Sequence, residues 1–94
     1  MDLTEVKIKV DEAIKEIANQ QKIKLPALQG HLEIVDDLGF TSLSVGLLIT
    51  RLEDVFDVDP FEDEDVMIDD MRSIQGIYKV YQSCLEKKAH SMSN

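Results

Sequence analysis

The strongest structural signal in this 94-residue chain is the run Ser42-Leu43-Ser44-Val45-Gly46-Leu47-Leu48-Ile49-Thr50-Arg51-Leu52-Glu53-Asp54-Val55-Phe56. Its leucines, with Val55 and Phe56, recur at spacings of three and four residues, which is the pattern of one apolar helix face. Thr41 precedes the run and is a good N-cap, because its hydroxyl can accept a hydrogen bond from a free backbone N–H. Pro60 is a stop signal beyond it. We therefore predict a helix that begins at Ser42 and ends near Asp57.

Two other apolar stripes predict helices near the ends of the chain. The first follows the cap Asp2, ends near Asn19 and contains Val6, Val10, Ala13, Ile14 and Ile17. The last follows the cap Ser73, ends near Glu86 and contains Ile74, Ile77, Tyr78, Tyr81 and Leu85. We expect residues 89–94 to form a disordered tail behind a domain of residues 1–88.

The segments between these helices differ in character. Pro26 and Gly30 interrupt any helical pattern after the first helix, so we expect a loop of roughly 20 residues, pinned by its scattered leucines. The acidic stretch Phe61–Asp70 suits a short helix of one or two turns. No segment alternates apolar and polar residues over a strand's length. The prediction is an all-α, four-helix bundle with a long first loop and a short third helix.

The charge is strongly negative and unevenly distributed. The chain has 19 acidic and 10 basic residues, a net charge of −9. Thirteen of the acids lie between Glu33 and Asp70 with a single base, Arg51, so this segment carries −12. Nucleic-acid binders and polybasic membrane proteins are disfavoured, since both must neutralise phosphates. The central segment is either a docking face for basic partners or a solvated surface that maintains solubility.

No catalytic or metal-binding pattern is found. Cys84 is the only cysteine, and His31 and His90 are too few for a metal site without help from carboxylates. The nucleophile-elbow pattern G-x-S-x-G is absent, and the four glycines are isolated. The Asp57-Val58-Asp59 triplet is not followed by the ligands of a calcium loop. With an acidic N-terminus and no apolar span, we expect a cytoplasmic, non-enzymatic protein that does not insert into membranes.

The central helix is preceded by Leu38 and Gly39, begins with Ser42 and Leu43, and ends with Leu52, Glu53 and Phe56 among its last residues. This motif resembles that of the acyl carrier protein family. Its hallmark is L-G-x-D-S-L, followed about ten residues after the serine by L-E-x-x-F. The matching residues here are Leu38, Gly39, Ser42, Leu43, Leu52, Glu53 and Phe56. The length, the acidity and the order of predicted helices over about residues 3–86 are also similar to this family.

The resemblance implies that Ser42 carries a covalent 4′-phosphopantetheine arm, whose thiol holds an acyl group as a thioester. The implied partners are a phosphopantetheinyl transferase and acyl-activating, acyltransferase or ketosynthase enzymes with basic docking surfaces. The carrier itself is expected to be a monomer. The interior of the bundle could shelter a short acyl chain behind Met67, Ile68 and Met71, although apolar residues at this spacing are also typical of an ordinary core.

The sequence departs from the family pattern around the serine. Thr41 stands where the family usually has aspartate, and Ser44, Gly46 and Leu47 stand where typical fatty-acid carriers have an acid, a valine and an acid. We interpret this as a carrier in a specialised fatty-acid, polyketide or related pathway; neutral drift is the alternative. The predicted docking residues are Asp37, Thr41, Leu43, Leu47, Glu53 and Asp54.

Two further hypotheses remain open. An aminoacyl, peptidyl or D-alanyl carrier would share the arm and differ only in cargo. An unmodified acidic helical adaptor or cation-binding module would keep the fold without using Ser42.

Overall fold

The computed structural model describes the backbone of residues 2–92 and the side chains of residues 2–89, and this part of the chain is helical without a β-strand. The three α-helices are α1 (Leu3–Gln20), α2 (Ser42–Phe56) and α3 (Ile74–Met92). Between α2 and α3 lie two 3-10 turns, Pro60–Glu62 and Ile68–Met71. The prediction of an all-α protein is confirmed.

All three predicted N-caps are present. Each cap side chain accepts a hydrogen bond from the backbone N–H three residues later: Asp2 from Glu5 at 2.9 Å, Thr41 from Ser44 at 3.2 Å and Ser73 from Gly76 at 3.0 Å. Each bond satisfies a backbone donor that the helix itself leaves free. The caps therefore account for where the helices begin.

The short third helix predicted within Phe61–Asp70 is not an α-helix, and the described residues do not give a four-helix bundle. Aspartate side chains hold the backbone in tight turns instead. Asp63 Oδ1 accepts from the Asp65 N–H at 2.9 Å, and Asp70 Oδ2 accepts from the Met67 N–H at 2.8 Å. Such local bonds compete with helical i→i−4 bonds, so the segment divides into two 3-10 turns.

α3 is longer than predicted, because it continues past Glu86 to Met92. Residues 89–92 of the predicted tail are therefore helical, while residues 93–94 lie outside the described range. No glycine or proline follows Gly76 to stop the helix. Lys87 bonds to Asp63, and Lys88 Nζ lies 3.1 Å from Asp57 Oδ2, so both lysines connect this end of α3 to the chain after α2.

The core is mainly aliphatic, with three aromatic rings from Phe40, Phe56 and Tyr81, and it centres on α1, which packs against both α2 and α3. The long loop 21–41 is pinned as predicted: Ile34, Leu38 and Phe40 are buried in this core, and Leu25, Leu28 and Leu32 are half-buried against it.

The same loop is hydrogen-bonded to the chain just before α3. Ile34 N–H donates to the Arg72 carbonyl at 2.9 Å, and Ile74 N–H donates to the Leu32 carbonyl at 3.0 Å. These bonds hold the loop beside the second 3-10 turn, next to the beginning of α2.

Candidate functional site

Ser42 is the first residue of α2, and its side chain is exposed. Thr41 has extended backbone geometry and caps the helix through its hydroxyl. The N-terminal end of a helix carries a partial positive charge from aligned peptide dipoles, together with free N–H groups. Ser42 therefore presents a hydroxyl to solvent where a negatively charged group attached to it would be stabilised.

Buried residues on both sides hold Ser42 in position. Phe40, two residues before it, is only 2% exposed, and its N–H donates to the Ile34 carbonyl at 3.1 Å. Ser44, two residues after it, is 1% exposed, and its hydroxyl oxygen lies 3.1 Å from Thr41 Oγ1. Gly39 makes the turn into this segment with φ of +81°, a conformation that favours glycine. Ser42 is exposed on an anchored backbone.

A groove of about 420 Å³ opens beside Ser42. Ser42 and Val45 form one wall, residues 33–36 of the loop form another, and the second 3-10 turn with Arg72 closes it. Arg72 Nε donates to Glu33 Oε1 at 3.1 Å, and the Glu33 carboxylate raises the pKa of the Arg72 guanidinium. The groove joins three segments that are distant in sequence.

The three residues behind which an acyl chain could be sheltered, Met67, Ile68 and Met71, differ in exposure. Met71 is buried in the core, whereas Met67 and Ile68 are exposed. Ile68 and Met71 both line the groove beside Ser42. An ordinary core role therefore describes Met71 only.

Some of the predicted docking residues lie near Ser42. Thr41 and Leu43 flank it in the chain, with Leu43 exposed, and Leu47 is half-buried one turn further along α2. Asp37 lies in the turn before α2, where its Oδ2 accepts from the Glu33 N–H at 2.7 Å. The Asp37 carboxylate thus shapes the loop in addition to contributing charge.

The other two, Glu53 and Asp54, lie in the last turn of α2. An α-helix rises about 1.5 Å per residue, so Glu53 is roughly 16 Å along the axis from Ser42. Both line a second groove, of about 820 Å³, with the C-terminal part of α3. The structure does not bring these two acids together with the serine.

Cys84 lines this second groove, but it is not an activated thiol. Burial raises the pKa of the Cys84 thiol, and the Asp63 carboxylate raises it further. A raised pKa disfavours the reactive thiolate form of Cys84 at neutral pH. His31 is exposed, and the His90 side chain lies outside the described residues.

The residues that sequence reasoning missed are Glu33, Val35 and Arg72, which line the groove, and Ser44, which supports the cap. Val35 stands between Ile34 and Asp36 with no periodicity to mark it as exposed. The pairing of the loop with the chain before α3 depends on long-range hydrogen bonds, for which the sequence carries no local signal.

Within residues 2–92, where side chains are described as far as residue 89, no group of three or more His, Cys, Asp or Glu side chains is arranged to hold a metal ion. None of the helices in this range is both long and apolar enough to cross a membrane. Comparison with protein-family models, curated proteins and solved structures found no match for this chain.

Proposed function

We propose that the protein is an acyl carrier whose Ser42 is the attachment site of a 4′-phosphopantetheine arm. The observation that carries the proposal is the exposed Ser42 at the first position of α2, inside the motif formed by Leu38, Gly39, Ser42 and Leu43. A carrier serine is acted upon by another enzyme, so it needs exposure and a fixed backbone and no base of its own. Both properties are found at Ser42.

The surroundings of Ser42 fit a phosphodiester. Among the described residues, none accepts a hydrogen bond from the backbone N–H of Ser42 or Leu43, so both donors are available at the positive end of the α2 dipole. The 420 Å³ groove gives an attached arm room along the protein surface. When bound, the arm would supply a thiol that holds the acyl group as a thioester.

We further propose that the finer architecture is the carrier-type bundle, with the turns Pro60–Glu62 and Ile68–Met71 standing in place of a short third helix. The proposed setting is cytoplasmic and monomeric. The partners would be a phosphopantetheinyl transferase and then acyl-activating, acyltransferase or ketosynthase enzymes. Acyl, aminoacyl, peptidyl and D-alanyl cargoes all fit, because the loading enzyme selects the cargo.

The test is intact-mass measurement after incubation with coenzyme A, Mg²⁺ and a broad-specificity phosphopantetheinyl transferase. The wild-type protein should gain the mass of one phosphopantetheine, and the Ser42→Ala variant should gain nothing. Ser83→Ala is the matched control, because Ser83 is also an exposed helical serine, on α3. This control variant should be loaded like the wild type.

An unmodified acidic adaptor predicts a different outcome. In that case the mass stays constant in all three proteins. Modification that persists in Ser42→Ala would also refute the proposed attachment site.

A further inference from the structure

Four large apolar side chains around Ser42 remain exposed in the folded protein. We call them the Ser42 patch; the exposed fractions are 55% for Val35, 66% for Leu43, 64% for Met67 and 71% for Ile68. Val35 and Ile68 line the groove beside Ser42. Leu43 directly follows Ser42 in the chain, and Met67 directly precedes Ile68. An apolar patch gathered from three separate segments of a small protein is typical of an interaction surface.

The charges that line the groove beside Ser42 are mostly negative. The groove contains three carboxylates, Glu33, Asp36 and Asp69, and one guanidinium, Arg72, so its net charge is −2. Glu33 is paired with Arg72, while Asp36 and Asp69 are exposed. The first eleven residues of α2 contain no acid, since Glu53 is its first carboxylate. The groove beside Ser42 thus combines apolar side chains with two carboxylates, Asp36 and Asp69, for which no salt bridge is found among the described residues.

We infer that the transferase that loads Ser42 holds this protein by an apolar surface pressed onto the Ser42 patch, with basic side chains facing Asp36 and Asp69. The inference rests on the proposed function and adds the residues that the enzyme contacts. Complementary charges guide the encounter and the apolar contact prolongs it. Glu53 and Asp54, at the other end of α2, contribute little.

The size of a typical protein interface supports a larger contribution from the Ser42 patch than from Glu53 and Asp54. A standard interface covers about 800 Å² on each partner, which corresponds to a disc of about 16 Å radius. An enzyme whose active site is centred on the Ser42 hydroxyl must therefore cover the Ser42 patch. Glu53, roughly 16 Å away along α2, lies at the edge of that disc, where solvated charges add little binding energy.

The experiment compares loading kinetics with coenzyme A, Mg²⁺ and one broad-specificity transferase. The double variant Met67→Ser/Ile68→Ser should lower kcat/KM by about tenfold or more, mainly through a higher KM, because two apolar contacts are lost. Leu43→Ser is a second, independent variant and should lower it by several-fold. All three side chains are exposed, so thermal unfolding should match that of the wild type.

Two control variants make the test specific. Leu3→Ser/Ile8→Ser removes two apolar side chains that are also exposed, but on α1, and should leave kcat/KM within about twofold. Glu53→Gln/Asp54→Asn should also leave it within about twofold.

The inference is overturned if the Ser42-patch variants load like the wild type, or if the Glu53/Asp54 variant loses as much as they do. In both cases wild-type loading still supports the proposed function. If the wild type is not loaded at all, the proposed function and this inference fail together.

Discussion

Thr41 Oγ1 lies 3.1 Å from the hydroxyl oxygen of Ser44 and also accepts a hydrogen bond from the Ser44 N–H at 3.2 Å. Ser44 is buried, and the neutral hydroxyl of Thr41 satisfies its side chain there. Ser42 lies between these two residues in the chain, and its side chain is exposed. The departures from the family pattern at positions 41 and 44 therefore form one hydrogen-bonded unit that fixes the beginning of α2.

Replacing Thr41 should show how much the hydrogen-bonded pair Thr41–Ser44 contributes to stability. Thr41→Ala removes the N-cap and leaves the buried Ser44 hydroxyl without its partner, so we expect a loss of about 1–2 kcal/mol in the free energy of unfolding. Urea denaturation measures it. Thr50→Ala is the control, because the Thr50 hydroxyl only bonds back to the Gly46 carbonyl within the exposed face of α2. Equal effects of the two substitutions would contradict the role of Thr41.

Two glycines should respond in opposite directions to alanine. Gly46 has open space around it, so Gly46→Ala should raise the free energy of unfolding by up to about 1 kcal/mol through helix propensity. At Gly76 an added Cβ would clash with the Asp70 carbonyl oxygen. Gly76→Ala should therefore lower stability by about 1–3 kcal/mol. Thermal unfolding of both variants checks this, and a stabilised Gly76→Ala would refute the close approach.

The two tyrosines of α3 should also differ. The Tyr78 hydroxyl donates to Asp11 Oδ1 at 2.5 Å and connects α3 to α1, so Tyr78→Phe should cost about 1–2 kcal/mol. The Tyr81 hydroxyl is buried and has no partner among the described side chains of residues 2–89, while its ring packs 5.2 Å from the Phe56 ring. Tyr81→Phe keeps the ring and should be neutral or stabilising. Equal destabilisation by both variants in urea would contradict this difference.

The free energy of unfolding should fall as the pH rises above about 10. Burial raises the pKa of Tyr78 and of Tyr81 above the ordinary value of 10.0, and the Asp11 contact raises that of Tyr78 further. The folded protein then keeps protons that the unfolded chain releases, so this contribution is complete below about pH 10 and is lost as the pH rises towards the raised pKa values.

Urea denaturation across this pH range measures the effect. The double variant Tyr78→Phe/Tyr81→Phe should lose stability less steeply than the wild type. The pKa of Lys87 is also raised, by its hydrogen bond to Asp63, and both proteins retain that contribution. Identical slopes would show that the tyrosines do not contribute.

Much of the fold was predictable, because its determinants are local. The caps Asp2, Thr41 and Ser73 and the apolar stripes behind them define the beginnings of the three helices. The structure of the segment after Pro60 was not predictable. Its aspartate side chains can bond to several different backbone N–H groups, and the three-dimensional arrangement selects among them. The far end of α3 depends similarly on Lys87 and Lys88 reaching carboxylates more than twenty residues earlier in the chain.

The candidate site was predictable only at its centre. The motif identified Ser42, and the N-cap pattern predicted that it begins a helix. The groove beside it was not predictable, because Val35 and Arg72 reach it through the pairing of the long loop with the chain before α3. Glu53 and Asp54 were predicted as docking residues because they are acidic, but they lie at the opposite end of α2 from Ser42.

The most direct test of the central claim is to locate the modification on the chain. After incubation with coenzyme A, Mg²⁺ and the transferase, trypsin should release the peptide 25–51, which contains Thr41, Ser42, Ser44 and Thr50. The account predicts that tandem mass spectrometry of this peptide finds one phosphopantetheine group, on Ser42. An unmodified peptide, or a group on any other residue, would contradict it.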